Sequence, residues 1–412
     1  MRDKRKIKRD AYIWSGQRKI VIKRRVISCT LLLGVAVLGW FLFNPTYNLL
    51  SKYVSDNKDE VVESEVSSSR PIVESKSEVV LSETTASETD KTEQVLPLSD
   101  KSVYIAHNIL LDENLLRNTV IKLKKEGASQ IVFDLKNSDG SIMYQSELEI
   151  VKTSLSQNEA PYNLANCVNI IKNEGLIPVG RIFAFKDRVA SASMQSAAVK
   201  YMNSEINWLD NSRDNGGKPW LNPASVEARD YIMQIFDEVM PYFDIILFDG
   251  IEFPTGYSLD KATYGIQNID KSAVLDTFMD TVINKGEENN VTVIPVISAK
   301  GMFEPNGEMY GLDVSRLLLD RKNIVFDVRP AIFGRGLVTE NISLPQPSQQ
   351  PYETLMVLLK ELETIPCENK IYTLQEHSSL VDGQEVKFDV AKIDEQKKAF
   401  EENKCENIFY CS

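Results

Sequence analysis

The chain predicts an α/β fold, a (β/α)8 TIM-type barrel over residues 101–412, preceded by one transmembrane helix and a disordered stalk. Three observations predict it. From Val103 onward, short β-branched or aromatic runs alternate with longer amphipathic stretches, and eight such runs can be counted. Charged residues gather at one end of these runs, as on the C-terminal face of such a barrel. No GxGxxG turn follows the first run, which argues against a doubly wound nucleotide-binding sheet.

The N-terminal elements come first. Residues 1–25 carry eleven Lys and Arg against Asp3 and Asp10. They lead into "VISCTLLLGVAVLGWFLF", Val26–Phe43, eighteen residues without a charge. That is close to the roughly 20 needed to cross a bilayer. A cleaved signal peptide would have a shorter apolar region and a small-residue cleavage site, and none follows Phe43. Cys29 precedes most of the apolar run, so a lipoprotein reading fails. The expectation is a single-pass signal anchor in the cell membrane, 26–43, with the basic tail 1–25 in the cytoplasm and the remainder extracellular. Residues 44–100 are dominated by Ser, Thr and Glu and are nearly free of aromatics, the composition of a stalk that cannot repay its ordering entropy.

The predicted strands are 102–108, 130–137, 176–185, 244–250, 291–298, 323–330, 370–376 and 407–412. Helices are predicted over 112–126, 162–174, 222–240, 271–287, 351–364 and 391–402. In the third of these, Asn222 is placed at the N-cap and Pro223 at the first helical position. Ala228, Tyr231, Ile232, Ile235, Phe236 and Val239 recur there at helical spacing, which marks one buried face. The chain stops at the eighth strand, so a final helix is expected to be missing or replaced.

Composition narrows the chemistry. A formal net charge of −12 argues against nucleic acid as a partner. With only His107 and His377, a histidine zinc site or a Ser-His-Asp triad has almost no raw material. Five cysteines, one of them in the apolar run, do not make a disulfide scaffold. Cys405 with Cys411 and Cys167 with Cys367 are the bridges considered, and a strand between the first two would hold them apart. No spacing calls for a cofactor or a metal, and a Ca²⁺ on Asp134, Asp139 and carbonyls is unsupported by any motif.

The strand ends then carry the argument. The second run ends in Asp134 and Lys136, with Tyr144 beyond; the third has Arg181 and ends at Lys186 and Asp187. The fourth ends at Asp249, with Glu252 three residues on; the fifth leads to Lys300; the sixth holds Asp327 and Arg329, and the seventh ends at Gln375. By alternation, Asp249 shares a face with Ile245 and Leu247, and Asp134 shares one with Val132 and Lys136. Asp134 and Lys136 would then be free to pair. Paired carboxylates in a cleft suit glycosidic bond cleavage, one as acid and the other as base or nucleophile. Aromatic candidates for a sugar platform are Tyr144, Trp208, Trp220 and Phe303, with core packing the more ordinary role for Trp220.

Four segments resemble a known family, the putative glycosyl hydrolase barrels of bacterial envelope proteins. "IVFDLKNSDGSIMYQS" is similar to its second-strand motif and "VGRIFAFKDRVA" to its third. "WLNPASVEARDYI" is similar to its Trp-Leu-Asp/Asn-Pro helix start, and "FDIILFDGIEFP" to its fourth-strand signature. The resemblance covers about residues 101–412 and implies a barrel acting on a polysaccharide or cell-wall glycan. The strand-end positions make Asp249 the first catalytic candidate, with Asp134 and Glu252 competing to be its partner. Lys136, Tyr144, Arg181, Asp187, Trp220, Lys300, Asp327 and Gln375 are then the substrate-binding candidates. The chain departs from the family pattern at Gly250, at Glu252, at Lys300 where an acid is usual, and in the sixth strand, "DVRPAIFGRG". A catalytically inactive glycan-binding or envelope scaffold module is therefore the rival expectation.

Overall fold

Eight parallel strands pair edge to edge until the last meets the first. They are β1 (Lys101–Tyr104), β2 (Gln130–Lys136), β3 (Ile177–Phe183), β4 (Ile245–Asp249), β5 (Thr292–Ser298), β6 (Asn323–Asp327), β7 (Asn369–Gln375) and β8 (Ile408–Cys411). Each pairs with its sequence neighbour, and β8 returns to β1 with Lys101 opposite Ile408. The result is a closed barrel with no free edge. These coordinates are a computed structural model, which describes residues 101–303, 310–312, 321–334, 336–339, 342–381 and 384–411. The tail, the apolar run 26–43 and the stalk lie outside the described residues. Among the described residues no helix is long and apolar enough to cross a membrane.

Alternation sorts each strand into two faces. Val132, Val179, Ile245, Leu247, Ile294, Val325, Ile371 and Phe409 fill the barrel interior as one cluster. Their strand neighbours Ile131, Phe133, Ile246, Phe248, Ile324 and Phe326 pack outward against the helices. Asp249 therefore ends the inward row of β4, as its spacing from Ile245 and Leu247 predicts. Gly180 of β3 is required by closeness, because a Cβ there would lie 2.4 Å from Leu135 Cδ1.

The helices follow from their caps. Asp112 caps α1 (Glu113–Lys125), Asn163 caps α2 (Leu164–Asn173) and Ser225 caps α3 (Val226–Val239). Asp270 caps α4 (Lys271–Glu288), proline opens α5 (Pro351–Glu363), and Asp389 caps α6 (Val390–Glu402). Each side-chain cap accepts one of the N–H groups that a helix start leaves open, and Asp112 accepts two. The start expected at Asn222 is corrected to Val226. Asn222 instead closes a turn, its carbonyl accepting from Ser225 N at 2.9 Å and its Oδ1 from Ala224 N at 3.0 Å.

Two loops on the C-terminal face fold onto each other beyond β3 and β4. Lys200–Tyr201 pairs antiparallel with Ala262–Thr263, and Val199, Trp208 and Trp220 pack together beneath. All four described cysteines are free thiols, so neither bridge considered above is formed.

Candidate active site

Six strands send a polar side chain into the C-terminal mouth. Asp134 comes from β2, Arg181 from β3, Asp249 from β4, Asp327 from β6 with Arg329 just beyond, and Thr373 from β7; Tyr104 from β1 borders the inner cluster. Arg181 joins two of the acids. Its Nε donates to Asp134 Oδ1 at 2.6 Å, and its Nη1 lies 3.9 Å from Asp249 Oδ2. With guanidinium nitrogens roughly 2.3 Å apart, the nearest oxygens of Asp134 and Asp249 are separated by at most about 9 Å. Tyr104 OH donates to the other oxygen of Asp134 at 3.0 Å. The guanidinium also lies near two rings, 4.8 Å from the centroid of Tyr104 and 4.9 Å from that of Phe183. Arg181 is thus held by two rings and by its hydrogen bond to Asp134.

The β6 side of the mouth is more tightly paired. Arg329 holds Asp327 with Nε to Oδ1 at 2.8 Å and Nη2 to Oδ2 at 2.7 Å. Thr373 Oγ1 adds a hydrogen bond to Asp327 Oδ1 at 3.0 Å. Burial pushes the Asp327 carboxyl up, but Arg329 and these hydrogen bonds outweigh it and hold the group below the usual carboxylate range. Asp249 goes the other way. Burial raises its carboxyl to about 6 and Asp327 adds to the rise, while Arg181, Arg329 and the Gly250 N–H offset part of it. One side-chain edge stays open, with Asp249 17% exposed. Beside this cluster, burial pushes the Cys411 thiol up to about 12, so it is a neutral, inert floor.

Several expected site residues lie elsewhere, and each has a reason. A bulge in β2 shifts register between Asp134 and Lys136 and breaks the alternation that would have put them on one face. Lys136 is sealed with Asp187, both side chains 0% exposed, with 2.9 Å between Nζ and Oδ2. That contact is close but off the hydrogen-bond direction, since Oδ2 makes no hydrogen bond. Lys136 donates instead to the carbonyls of Phe183 and Ala184, at 2.7 and 3.1 Å, and Asp187 Oδ1 caps Ala190 N at 2.7 Å. Burial lowers the ammonium and raises the carboxyl, each partly countered by the other. Gly140 presses on this pair so closely that any Cβ would overlap the carboxylate. Lys136 and Asp187 are a brace behind the mouth, with no surface for substrate.

Tyr144 is also buried, its hydroxyl donating to Glu238 of α3. Trp208 and Trp220 are core: their ring nitrogens donate to Ser258 O at 3.1 Å and to Asp210 Oδ2 at 3.2 Å. Gln375 is buried, accepting from Ala331 N at 3.1 Å and donating to Ser379 Oγ at 2.7 Å. Asp139 meets Arg188 and Lys218, while Asp134 meets Arg181, so the two acids weighed for a cation serve different ion pairs. Glu252 sits half-buried in the bend beyond β4, and Lys300 half-buried in the short helix Ala299–Phe303 beyond β5. Tyr104, Thr373 and Cys411 went unread as site residues; the signal for them was alternation along β1, β7 and β8.

The strand order and the acid-lined mouth define a (β/α)8 barrel. Residues 102–411 match the family described as "putative glycosyl hydrolase domain", and the chain belongs to that family. Among solved structures, the glycoside hydrolase domain of PgaB (BpsB) from Bordetella bronchiseptica superposes with a TM-score of 0.54 at 12% identity, covering 77% of this chain and 94% of that one. A hypothetical protein from Ruminiclostridium thermocellum ATCC 27405 is 23% identical, covering 47% of this chain and 96% of that one, with a TM-score of 0.41. An S-layer-related protein of Niallia circulans is 23% identical over 169 residues, 36% of this chain. The chain spans about a tenth of that relative, the aligned part being 10% of its length.

Proposed function

We propose that the protein is a membrane-anchored, extracellular glycoside hydrolase acting on a cell-envelope or extracellular glycan, with Asp249 as its general acid. The observation that carries the reading is the place of Asp249, at the end of the inward row of β4 with 17% of its side chain exposed. At neutral pH a carboxyl raised to about 6 is protonated in part, and its open edge faces the mouth. A general acid needs that combination of an available proton and a path to the glycosidic oxygen. Asp134 is its partner, held by Arg181 and Tyr104 so that its charge meets the positive charge growing on the sugar ring. The two acids are no more than about 9 Å apart, which does not exceed the roughly 9.5 Å that is the widest carboxyl spacing of such enzymes. Asp249→Asn should abolish release of reducing ends from a glycan that the wild type cleaves, without loss of fold by circular dichroism. Unchanged turnover would sink the assignment.

One observation favours a second reading, glycan binding without cleavage. Asp134 and Asp327, the two acids described in the mouth beside Asp249, are both already engaged by arginines. That reading predicts polysaccharide binding with no reducing ends released by wild type or variant. The anchor reading rests on the uncharged run 26–43 behind a basic tail. Protease added to intact cells should then remove the barrel; a barrel protected until lysis would overturn it.

A further inference from the structure

The two tryptophans beside the mouth are buried, but the loops they hold in place display another ring. Tyr257 lies eight residues beyond Asp249 in the same loop, and it is 63% exposed. Its backbone is fastened on every side. Tyr257 N donates to Asp210 O at 2.8 Å, and the following carbonyl, Ser258 O, accepts from Trp208 Nε1 at 3.1 Å. The preceding residue, Gly256, has φ +141°, and a Cβ there would lie 2.2 Å from Asp210 O. Asp210 is itself held, its carboxylate accepting from Lys218 N at 2.7 Å and Trp220 Nε1 at 3.2 Å. A large ring exposed on so constrained a backbone leaves only its side-chain freedom to be lost on binding, the backbone part having been met by the fold.

We infer that Tyr257 is an aromatic subsite that stacks on a pyranose ring of the glycan, one or more sugars away from the bond at Asp249. The inference rests on the function proposed above. A sugar ring presents an apolar face of C–H groups bounded by hydroxyls, which suits the face of a tyrosine on a polar rim. Continuity with the mouth selects this occupant: Tyr257 belongs to the loop that leaves the strand bearing Asp249, on the face where barrel loops take substrate. The buried Trp208 and Trp220 act here through Tyr257, as positioning residues.

The test is titration calorimetry on the full chain with three probes, the hexasaccharides of N-acetylglucosamine, glucose and galacturonate, alongside a reducing-end assay. For a hexasaccharide that binds, Tyr257→Ala should weaken affinity at least tenfold, and Tyr257→Phe should restore it to within about threefold, since the ring and not the hydroxyl stacks. Gly256→Val should reproduce the loss with the tyrosine still present, because the loop must leave Asp210. Wild-type affinity in Tyr257→Ala overturns the subsite, and if the hexasaccharide is still cleaved the proposed function survives that failure. Conversely, lost affinity in Tyr257→Ala together with full turnover by Asp249→Asn keeps the subsite and removes the assigned acid. A wild type that binds none of the three overturns both.

Discussion

Asp249 and Asp327 look into the same mouth from neighbouring walls and are buried to similar degrees, 17% and 12% exposed, yet they titrate in opposite directions. Burial pushes both upward. The difference lies in the partners. Asp327 has a fork of two N–H groups from Arg329 and a threonine hydroxyl. Asp249 has one backbone N–H at 2.7 Å and a guanidinium no nearer than 3.9 Å. A bidentate arginine stabilises the charged form strongly, and a distant one does so weakly. One acid is therefore held as an anion, and the other releases its proton only at a higher pH.

That contrast can be broken outright. Asp249→Asn should lower turnover by about 10²–10⁴-fold, the usual worth of a positioned acid. If Asp327→Asn lost as much while Asp249→Asn stayed active, the two roles would be reversed. Next in size, Arg329→Met should make Asp327 resemble Asp249. Removing one partner of a buried pair costs on the order of 3–5 kcal/mol, measurable by urea denaturation, and a fall well under 1 kcal/mol would show that the pair is not what holds Asp327.

A third outcome concerns pH, with the sign set by the raised carboxyl. Unfolded, an aspartate releases its proton near pH 4; folded, Asp249 releases it at about 6. Between these values the folded state binds more protons, so stability falls as pH rises through that window and is level above it. The loss amounts to about 3 kcal/mol at most. Asp249→Asn should therefore raise the melting temperature at pH 8 and do little at pH 4, a crossing that differential scanning calorimetry resolves. Turnover should fall above about pH 6 as the acid deprotonates. The smallest effect expected is from Tyr104→Phe, which removes one hydrogen bond from Asp134, worth about 1.5–3 kcal/mol to a charged group. It should lower kcat/KM roughly tenfold, and unchanged kinetics would show that Arg181 alone positions Asp134.

The sealed Lys136–Asp187 pair shows where reading along the chain failed. Its residues sit in motifs rich in charge, and charge at a strand end looks like chemistry. The bulge in β2 moved Lys136 behind the mouth, where its ammonium joins Phe183 and Ala184 to Asp187. Tyr144 and Trp220 failed for a related reason. Aromatic residues near a site are equally good core, and only packing distinguishes the two. Tyr257, by contrast, is an ordinary loop residue until Gly256, Asp210 and Trp208 are seen to hold its backbone.

The eight barrel strands, the six long helices among the described residues and the inward direction of Asp249 were legible in the sequence because they depend on local periodicity, two residues per repeat in strands and 3.6 in helices. Which acid titrates where was not legible. Charges act through space, so the proton on Asp249 depends on Arg181, Asp327 and Arg329, brought from two other strand ends only when the barrel closes.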